Sequence, residues 1–274
     1  MSRNVVRNLI ATLLCVATTC AFADSTLKFR TRKNSDTNAV MIHGDKVRME
    51  SATPEGAQIS IYNSQDKTFT VLNAEQKSYI VMDQNSVKEQ AIRIKDTQKR
   101  LMAQMREQMR NMPPEQRKMV EQKMAELSSV DTGKMKPSKY SARKTGNTKR
   151  VNGIECDVYQ SYRDGRPLGD ACIASRKALS LSEADYTTLR SMFAFLRDMK
   201  MQFASGSGVP TPETEMGLFE NIDGLPVKVT STSGDQMTLD EVSNKALSPD
   251  LFKIPTGFKK VDMRNPASIG ESER

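Results

Sequence analysis

Residues 59–71 read Ile-Ser-Ile-Tyr-Asn-Ser-Gln-Asp-Lys-Thr-Phe-Thr-Val, and this stretch decides the fold class. Apolar side chains recur at every second position on both sides of a polar turn, which is the period of a half-buried β-strand. The same alternation runs from Thr26 to Met82, interrupted by turn residues at intervals of about eight to twelve positions. This region therefore predicts an antiparallel meander with one buried face.

The pattern changes after Asp83. Between Ser86 and Leu127 the sequence contains no glycine, and its apolar residues follow the spacing of three and four that an amphipathic helix requires. Pro113-Pro114 ends this helix and begins another, because proline is tolerated in the first turn of a helix but not in its interior. We therefore expect a Met-rich helical hairpin inserted at residues 84–128.

Strand-like runs return at residues 151–162 and 166–175, on either side of Arg163-Asp164-Gly165. This tripeptide predicts a three-residue hairpin loop, which places Cys156 directly opposite Cys172. Two cysteines so placed are close enough for a disulfide. We expect a structural bridge worth about 3 kcal/mol. A redox-active pair is the alternative, but it more often has a C-x-x-C spacing, which the sequence lacks.

The segment Ser180-Leu-Ser-Glu-Ala-Asp185 has a capping-box pattern and predicts the start of a further helix. The apolar side of that helix is the strongest amphipathic stripe in the chain. A Ser- and Gly-rich break follows at residues 205–212, and strand patterning resumes at residues 216–219, 226–232 and 237–242.

The first 23 residues combine two arginines, a short apolar run and the sequence Ala21-Phe-Ala23. They are typical of a secretory signal peptide that is cleaved before Asp24. Cleavage removes Cys15 and Cys20 and leaves two cysteines for an oxidising compartment. A lipidated Cys20 is not favoured, because the residues before it do not fit a lipoprotein signal. We therefore expect an exported, soluble, periplasmic protein.

The 274 residues include 41 Lys or Arg and 33 Asp or Glu, a formal net charge of +8. This moderate excess suits peripheral contact with an anionic membrane surface, whereas nucleic acid is not an expected partner of an exported protein. Residues 132–150 contain basic residues and no acidic one, so we expect a solvated basic connector, with contact to an anionic surface as the alternative. Residues 24–263 are expected to form a single domain, and residues 264–274 a flexible tail.

Five further motifs point to a family. They are residues 44–49 (Gly-Asp-Lys-Val-Arg-Met), 77–82 (Lys-Ser-Tyr-Ile-Val-Met), 151–159 (Val-Asn-Gly-Ile-Glu-Cys-Asp-Val-Tyr), 172–174 (Cys-Ile-Ala) and 251–263 (Leu-Phe-Lys-Ile-Pro-Thr-Gly-Phe-Lys-Lys-Val-Asp-Met). Together with residues 60–71 and 181–185, they resemble an exported bacterial family that carries a domain of unknown function related to the LolA-like lipoprotein-carrier fold. The resemblance implies an α+β protein with a curved antiparallel half-barrel sheet, covered by helices around an apolar cavity. In the best-known relatives this cavity receives the acyl chains of lipoproteins.

The first functional hypothesis is non-catalytic, carrier-like binding of an apolar or lipid-like ligand. Unbranched Met side chains can repack around acyl chains of different shape. The candidate ligand-binding residues are apolar side chains expected to face the sheet, namely Met105, Met109, Met112, Met192, Phe193 and Leu196. The alternative for these residues is that they seal the core.

Another hypothesis is an envelope interaction or sensor module that docks a protein partner on the Met-rich hairpin and binds no small ligand. Binding of copper by the hairpin thioethers, including Met102, is less favoured because His43 lies far away and no cysteine is free. We therefore expect no metal and no cofactor. An enzyme is not expected, since one histidine and two bridged cysteines leave no nucleophile and base to pair.

Overall fold

The computed structural model describes residues 24–32, 37–53, 56–110, 140–207 and 222–262, together with Pro113 and Gln116. Over these residues the protein is α+β, with a mixed sheet of twelve strands and two α-helices. The expected signal peptide, Met112, the expected second helix of the hairpin and the expected tail from residue 264 lie outside the described residues.

The strands follow the predicted meander closely. In chain order they are β1 Ser25–Thr31, β2 Thr37–His43, β3 Lys46–Thr53, β4 Gly56–Asn63, β5 Thr68–Asn73, β6 Ser78–Met82, β7 Tyr140–Val151, β8 Ile154–Arg163, β9 Arg166–Ala174, β10 Leu225–Ser231, β11 Gln236–Ser243 and β12 Lys259–Lys260. The helices are α1 Gln84–Arg110 and α2 Glu183–Ser207, and a short 3-10 helix covers Pro249–Phe252.

The strand order in the sheet is β12-β6-β5-β4-β3-β2-β1-β11-β10-β9-β8-β7. Every pair is antiparallel except β12 with β6, so the expectation of a wholly antiparallel sheet is wrong at this edge. The chain after β11 passes back across β3, where Arg48 Nη1 donates to the carbonyl oxygen of Leu251 at 2.7 Å. It therefore reaches β6 running in the same direction as that strand.

The turn between β8 and β9 has two residues and not the expected three. Asp164 and Gly165 both have positive φ, 50° and 79°, and Arg163 opposes Arg166. A two-residue turn with positive φ at both positions matches the right-handed twist of the strands it joins. The three-residue loop is therefore wrong, and with it the register that the sequence predicts for this hairpin.

The disulfide forms in this different register. An irregularity after Ser161 shifts the pairing of β8 with β9, so that Cys172 lies opposite Val158 and not opposite Cys156. Cys156 and Cys172 are nevertheless bridged, with their Cα atoms 5.4 Å apart and both residues buried. The expected Cys156–Cys172 bridge against the core is thus confirmed.

Strand β7 corrects the assignment of residues 132–150 to a basic connector. Residues 140–150 belong to this strand, which pairs with β8 at one edge of the sheet and is exposed from Arg143 to Arg150. An edge strand that is solvated along most of its length tolerates cations, which hide the alternation of a strand. Residues 132–139 lie outside the described residues.

Helix α1 confirms the first helix of the expected hairpin. It begins with a reciprocal cap in which Ser86 N donates to Asp83 Oδ1 at 2.7 Å and Asp83 N donates to Ser86 Oγ at 2.9 Å. Val87 and Ala91 are buried, and α1 packs against α2. From residue 95 onward the helix is mostly exposed, with 55% of Leu101 accessible.

The core lies between α2 and one face of the sheet, called the inner face below. Leu189, Met192 and Phe195 of α2 are 1%, 0% and 4% exposed. The ring of Tyr62 on β4 lies 5.5 Å from that of Phe195, and the two rings are tilted. These contacts hold α2 over strands β1 to β5 and so position the candidate site.

Candidate functional site

Helix α2 is fixed at its start by a polar cap. Asp185 N donates to Ser182 Oγ at 3.0 Å, as the capping-box pattern predicts. Glu183 and Asp185 place negative charge in the first turn, where it complements the helix dipole. The cap therefore fixes the first residue of α2 and, with it, which residues of α2 face the sheet.

Three rows of side chains cross the inner face of the meander. The innermost row is Ile42, Val47, Tyr62 and Phe69, which pair in sequence across β2 to β5 and are at most 6% exposed. Because side chains alternate between faces along a strand, the residues two positions away form the next row on the same face. The inner face is thus filled at one end and becomes progressively more open.

The middle row contains Leu27, Val40, Met49, Ser60 and Val71, each opposite the next on strands β1 to β5. All five line a cavity of about 380 Å³ between the sheet and α2. Leu189, Met192 and Phe193 form the helix side of its wall, and Leu225, Pro226 and Met237 complete it from β10 and β11. The lining is predominantly apolar, as is usual for cavities that hold small molecules.

Polar side chains gather at one end of the cavity. Asn38, Ser51 and Gln58 form the third row of the inner face on β2 to β4, and Phe29 continues it on β1; all four belong to the lining. Gln58 is exposed, so the cavity reaches the surface at this row. Glu50 also belongs to the lining, but its side chain lies on the opposite face of the sheet, where Arg48 Nε donates to its Oε1 at 2.7 Å.

The structure divides the predicted ligand-binding residues. Met192 and Phe193 line the cavity, whereas Leu196 is partly buried against the core and is not part of the lining. Met105 and Met109 lie half-buried on α1, away from the cavity wall. Their helical stripe shows which side of α1 is apolar, but α1 packs on α2, and its second half is mostly exposed. Met112 lies outside the described residues.

A buried polar cluster that sequence reasoning missed lies beside the start of α2. Ser25 Oγ donates to Asp185 Oδ2 at 2.6 Å across 160 positions of sequence, and the two residues are 1% and 2% exposed. Asp24 Oδ1 lies 2.8 Å from His43 Nδ1, and its other oxygen accepts from Leu247 N. The sequence signal was weak, because each residue belongs to a different element.

Burial raises the pKa of the Asp185 carboxyl above its ordinary value of 3.8, and the negative charge of Asp24 acts in the same direction. Hydrogen bonds from Ser25 and Ser182 and the charge of His43 oppose this shift. His43 is held by Asp24 and by the ring of Phe252, whose centroid lies 5.4 Å away. The cluster therefore anchors the first strand and the segment after β11 to α2.

In the described part of the chain, no group of three or more His, Cys, Asp or Glu side chains is arranged to hold a metal ion. No helix among the described residues is long and apolar enough to cross a membrane.

The solved structures that resemble this chain do so weakly. An uncharacterized conserved protein from Thermus thermophilus matches over 88% of this chain and 91% of its own, with 8% identity and a TM-score of 0.39. PNGF-II matches 91% of this chain with 10% identity and a TM-score of 0.39, and the match spans 33% of PNGF-II. MucB matches 85% of this chain and 58% of its own, with 12% identity and a TM-score of 0.32.

Comparison with curated proteins finds no match. The family model of a domain of unknown function, DUF4412, matches residues 96–258, which is more than half of the chain. The matched region contains the disulfide hairpin, α2 and strands β10 and β11, and so includes one wall of the cavity. The resemblance to a family with a domain of unknown function is thereby confirmed, and this chain belongs to the DUF4412 family.

Proposed function

We propose that this protein is a non-catalytic binding protein for an apolar or lipid-like ligand, which it holds in the cavity between α2 and the inner face of the sheet. The observation that carries the proposal is the cavity itself, about 380 Å³ of space with a mostly apolar wall. This volume falls within the range of roughly 300 to 1,000 Å³ that small-molecule sites occupy.

The composition of the wall supports an adaptable site. Met49 lies in the wall on the sheet side, Met192 on the helix side and Met237 on β11. Unbranched thioether side chains change rotamer at low cost and can follow the shape of a flexible chain. A sheet face covered by one helix, with a cavity between them, also agrees with the LolA-like architecture, which we propose for this family member.

The cavity wall also supports a role without catalysis. Ser60 is a hydroxyl within the apolar part of the wall, but His43 is engaged with Asp24 and Phe252 and is not part of the lining. A serine without a neighbouring base is a poor nucleophile. The polar groups of the cavity are therefore suited to hydrogen bonding.

The setting of the proposed function is the periplasm. The buried Cys156–Cys172 bridge is suited to an oxidising compartment. Residues 1–23 have the composition of a signal peptide. In the periplasm the ligand would come from the membranes on either side.

Exposed apolar side chains on α1 support a second candidate function, docking of an envelope protein. Ile92, Leu101 and Met102 are 52%, 55% and 36% exposed. Met side chains suit surfaces that accept partners of varied shape. In this second candidate function the cavity is only a packing defect, and the exposed surface of α1 binds the partner protein.

Native mass spectrometry of the protein purified from a periplasm distinguishes ligand binding in the cavity from protein docking on α1. The proposed function requires a stoichiometric apolar species that solvent extraction releases. Val40→Phe places a larger side chain in the middle row and is expected to abolish this species. Val81→Phe is the matched control, because Val81 pairs with Thr70 and so points to the opposite face of the sheet. A protein that carries no ligand and takes up no lipid would contradict the proposal and favour docking.

A further inference from the structure

The third row of the inner face is polar and uncharged on β2 to β4, and it continues on β1 with Phe29, which pairs with Asn38 and also lines the cavity. Ser51 on β3 pairs with Gln58 on β4, and Ala39 pairs with Glu50, which places Asn38 beside Ser51 in the same register. Asn38, Ser51 and Gln58 therefore follow one another across three strands, at the end of the cavity that reaches the surface. Together they present two amides and a hydroxyl to whatever occupies the opening.

Ser60 places a further hydroxyl inside the apolar part of the cavity. It lies between Met49 and Val71 in the middle row and is 7% exposed. Ser60 belongs to the lining of the cavity on the inner face of the sheet. Because a hydroxyl in apolar surroundings is unfavourable unless it is hydrogen-bonded, a ligand with a polar atom at this depth would be favoured over a plain hydrocarbon.

The charges around the cavity exclude one class of headgroup. Within the described residues, no Lys or Arg side chain belongs to the lining. Glu50 belongs to the lining, but it alternates with Met49 and Ser51, so its carboxylate lies on the opposite face of the sheet, where it accepts from Arg48 Nε at 2.7 Å. A phosphate or carboxylate at the opening would therefore lose hydration without gaining a cation.

We propose that the ligand of this cavity carries an uncharged head rich in hydroxyl or amide groups, which Asn38, Ser51 and Gln58 bind at the opening while the apolar part lies along the middle row. This inference rests on the proposed function and adds the chemical class of the ligand. The uncharged row, and not the basic surface of the protein, selects the headgroup.

Two probes with the same tail test the inference, dodecyl maltoside and dodecyl phosphate, each titrated below its critical micelle concentration by isothermal calorimetry. The uncharged probe is expected to bind at least about tenfold more tightly, a difference of about 1.4 kcal/mol. In the variant Asn38→Ala/Gln58→Ala the preference is expected to disappear. Gln65→Ala, which removes an exposed amide from the β4–β5 turn, is the control and keeps it.

The outcomes separate this inference from the proposed function. Equal or tighter binding of dodecyl phosphate to the wild-type protein overturns the headgroup inference but leaves apolar binding intact. A preference that persists in Asn38→Ala/Gln58→Ala also overturns it. If neither probe binds to the wild-type protein, the proposed function fails, and this inference fails with it.

Discussion

The hydroxyl of Tyr62 lies 2.8 Å from Ser191 Oγ. This contact joins the innermost row of the sheet to α2 at the closed end of the cavity. Tyr62 is 1% exposed, so its ring is packed while its hydroxyl is satisfied by the helix. This contact fixes the distance between helix and sheet at the closed end of the cavity. The cavity beyond the Tyr62–Ser191 contact therefore exists because α2 is held at this distance from the sheet.

Tyr62→Phe is expected to lower the free energy of unfolding by about 1 kcal/mol, because it removes this hydrogen bond and leaves the ring in place. Tyr62→Ala is expected to cost about 3–5 kcal/mol, since it empties a packed position. Urea denaturation measures both. Tyr79→Phe on β6 is the control, and equal stability of Tyr62→Phe and the wild type would show that the contact does not hold the helix.

Gly224, immediately before β10, cannot accept a side chain. Its φ is 138°, and a Cβ atom there would lie 2.5 Å from the carbonyl oxygen of Ala174. Gly224→Ala is expected to cost about 2–5 kcal/mol from strain and overlap together. Gly153→Ala is the matched control, because Gly153 also has positive φ but open space around it, and a cost of only about 1–2 kcal/mol is expected. Similar thermal denaturation midpoints for the two variants would contradict this account.

The Cys156–Cys172 bridge closes a loop with a sequence separation of 16 residues. The double variant Cys156→Ser/Cys172→Ser is expected to lose about 3 kcal/mol of stability, since the unfolded chain is no longer restrained. Dithiothreitol should destabilise the wild type to a similar extent and leave the variant unchanged. A variant as stable as the oxidised wild type would mean that the bridge has no structural role.

Asp185 makes stability depend on pH in a defined direction. Because its folded-state pKa is raised above 3.8, the folded protein holds the proton more tightly than the unfolded chain. The contribution of Asp185 to stability is therefore present at low pH and is lost as pH rises from about the ordinary pKa through the folded-state pKa.

Asp185→Asn removes this titration and keeps an acceptor for Ser25. Its stability relative to the wild type is expected to improve as pH rises through that range, as measured by urea denaturation at a series of pH values. Glu89→Gln on the exposed side of α1 is the control and should show no such trend. A stability difference that does not change with pH would contradict the assigned shift.

The strands and helices of the described region were largely predictable, because each carries a local period. The alternation at residues 59–71 indicated the strands, and the capping box indicated the start of α2. The edge strand β7 escaped prediction, since its alternation is masked by Arg143, Lys144, Lys149 and Arg150. The β8–β9 register depended on positive φ at Asp164, which the residue type permits but does not require.

The lining of the cavity was only partly predictable from the sequence. The stripe on α2 identified Met192 and Phe193, but the similar stripe on α1 suggested Met105 and Met109, which the structure places elsewhere. An apolar stripe indicates which side of a helix is apolar, but it does not indicate which element packs against that side. The sheet wall, and the position of Ser60 within it, depend on pairing across four strand connections, which periodicity alone does not determine.

The methionine methyl groups offer the most direct test of the central claim that the cavity binds an apolar ligand. Methyl NMR spectra of the protein, labelled at Met and titrated with dodecyl maltoside below its critical micelle concentration, report on both candidate surfaces at once. Saturable shifts are expected at Met49, Met192 and Met237, which line the cavity, with little change at Met201, which is 56% exposed. Shifts confined to Met102 and Met105 on α1, with the cavity methyls unmoved, would contradict the claim.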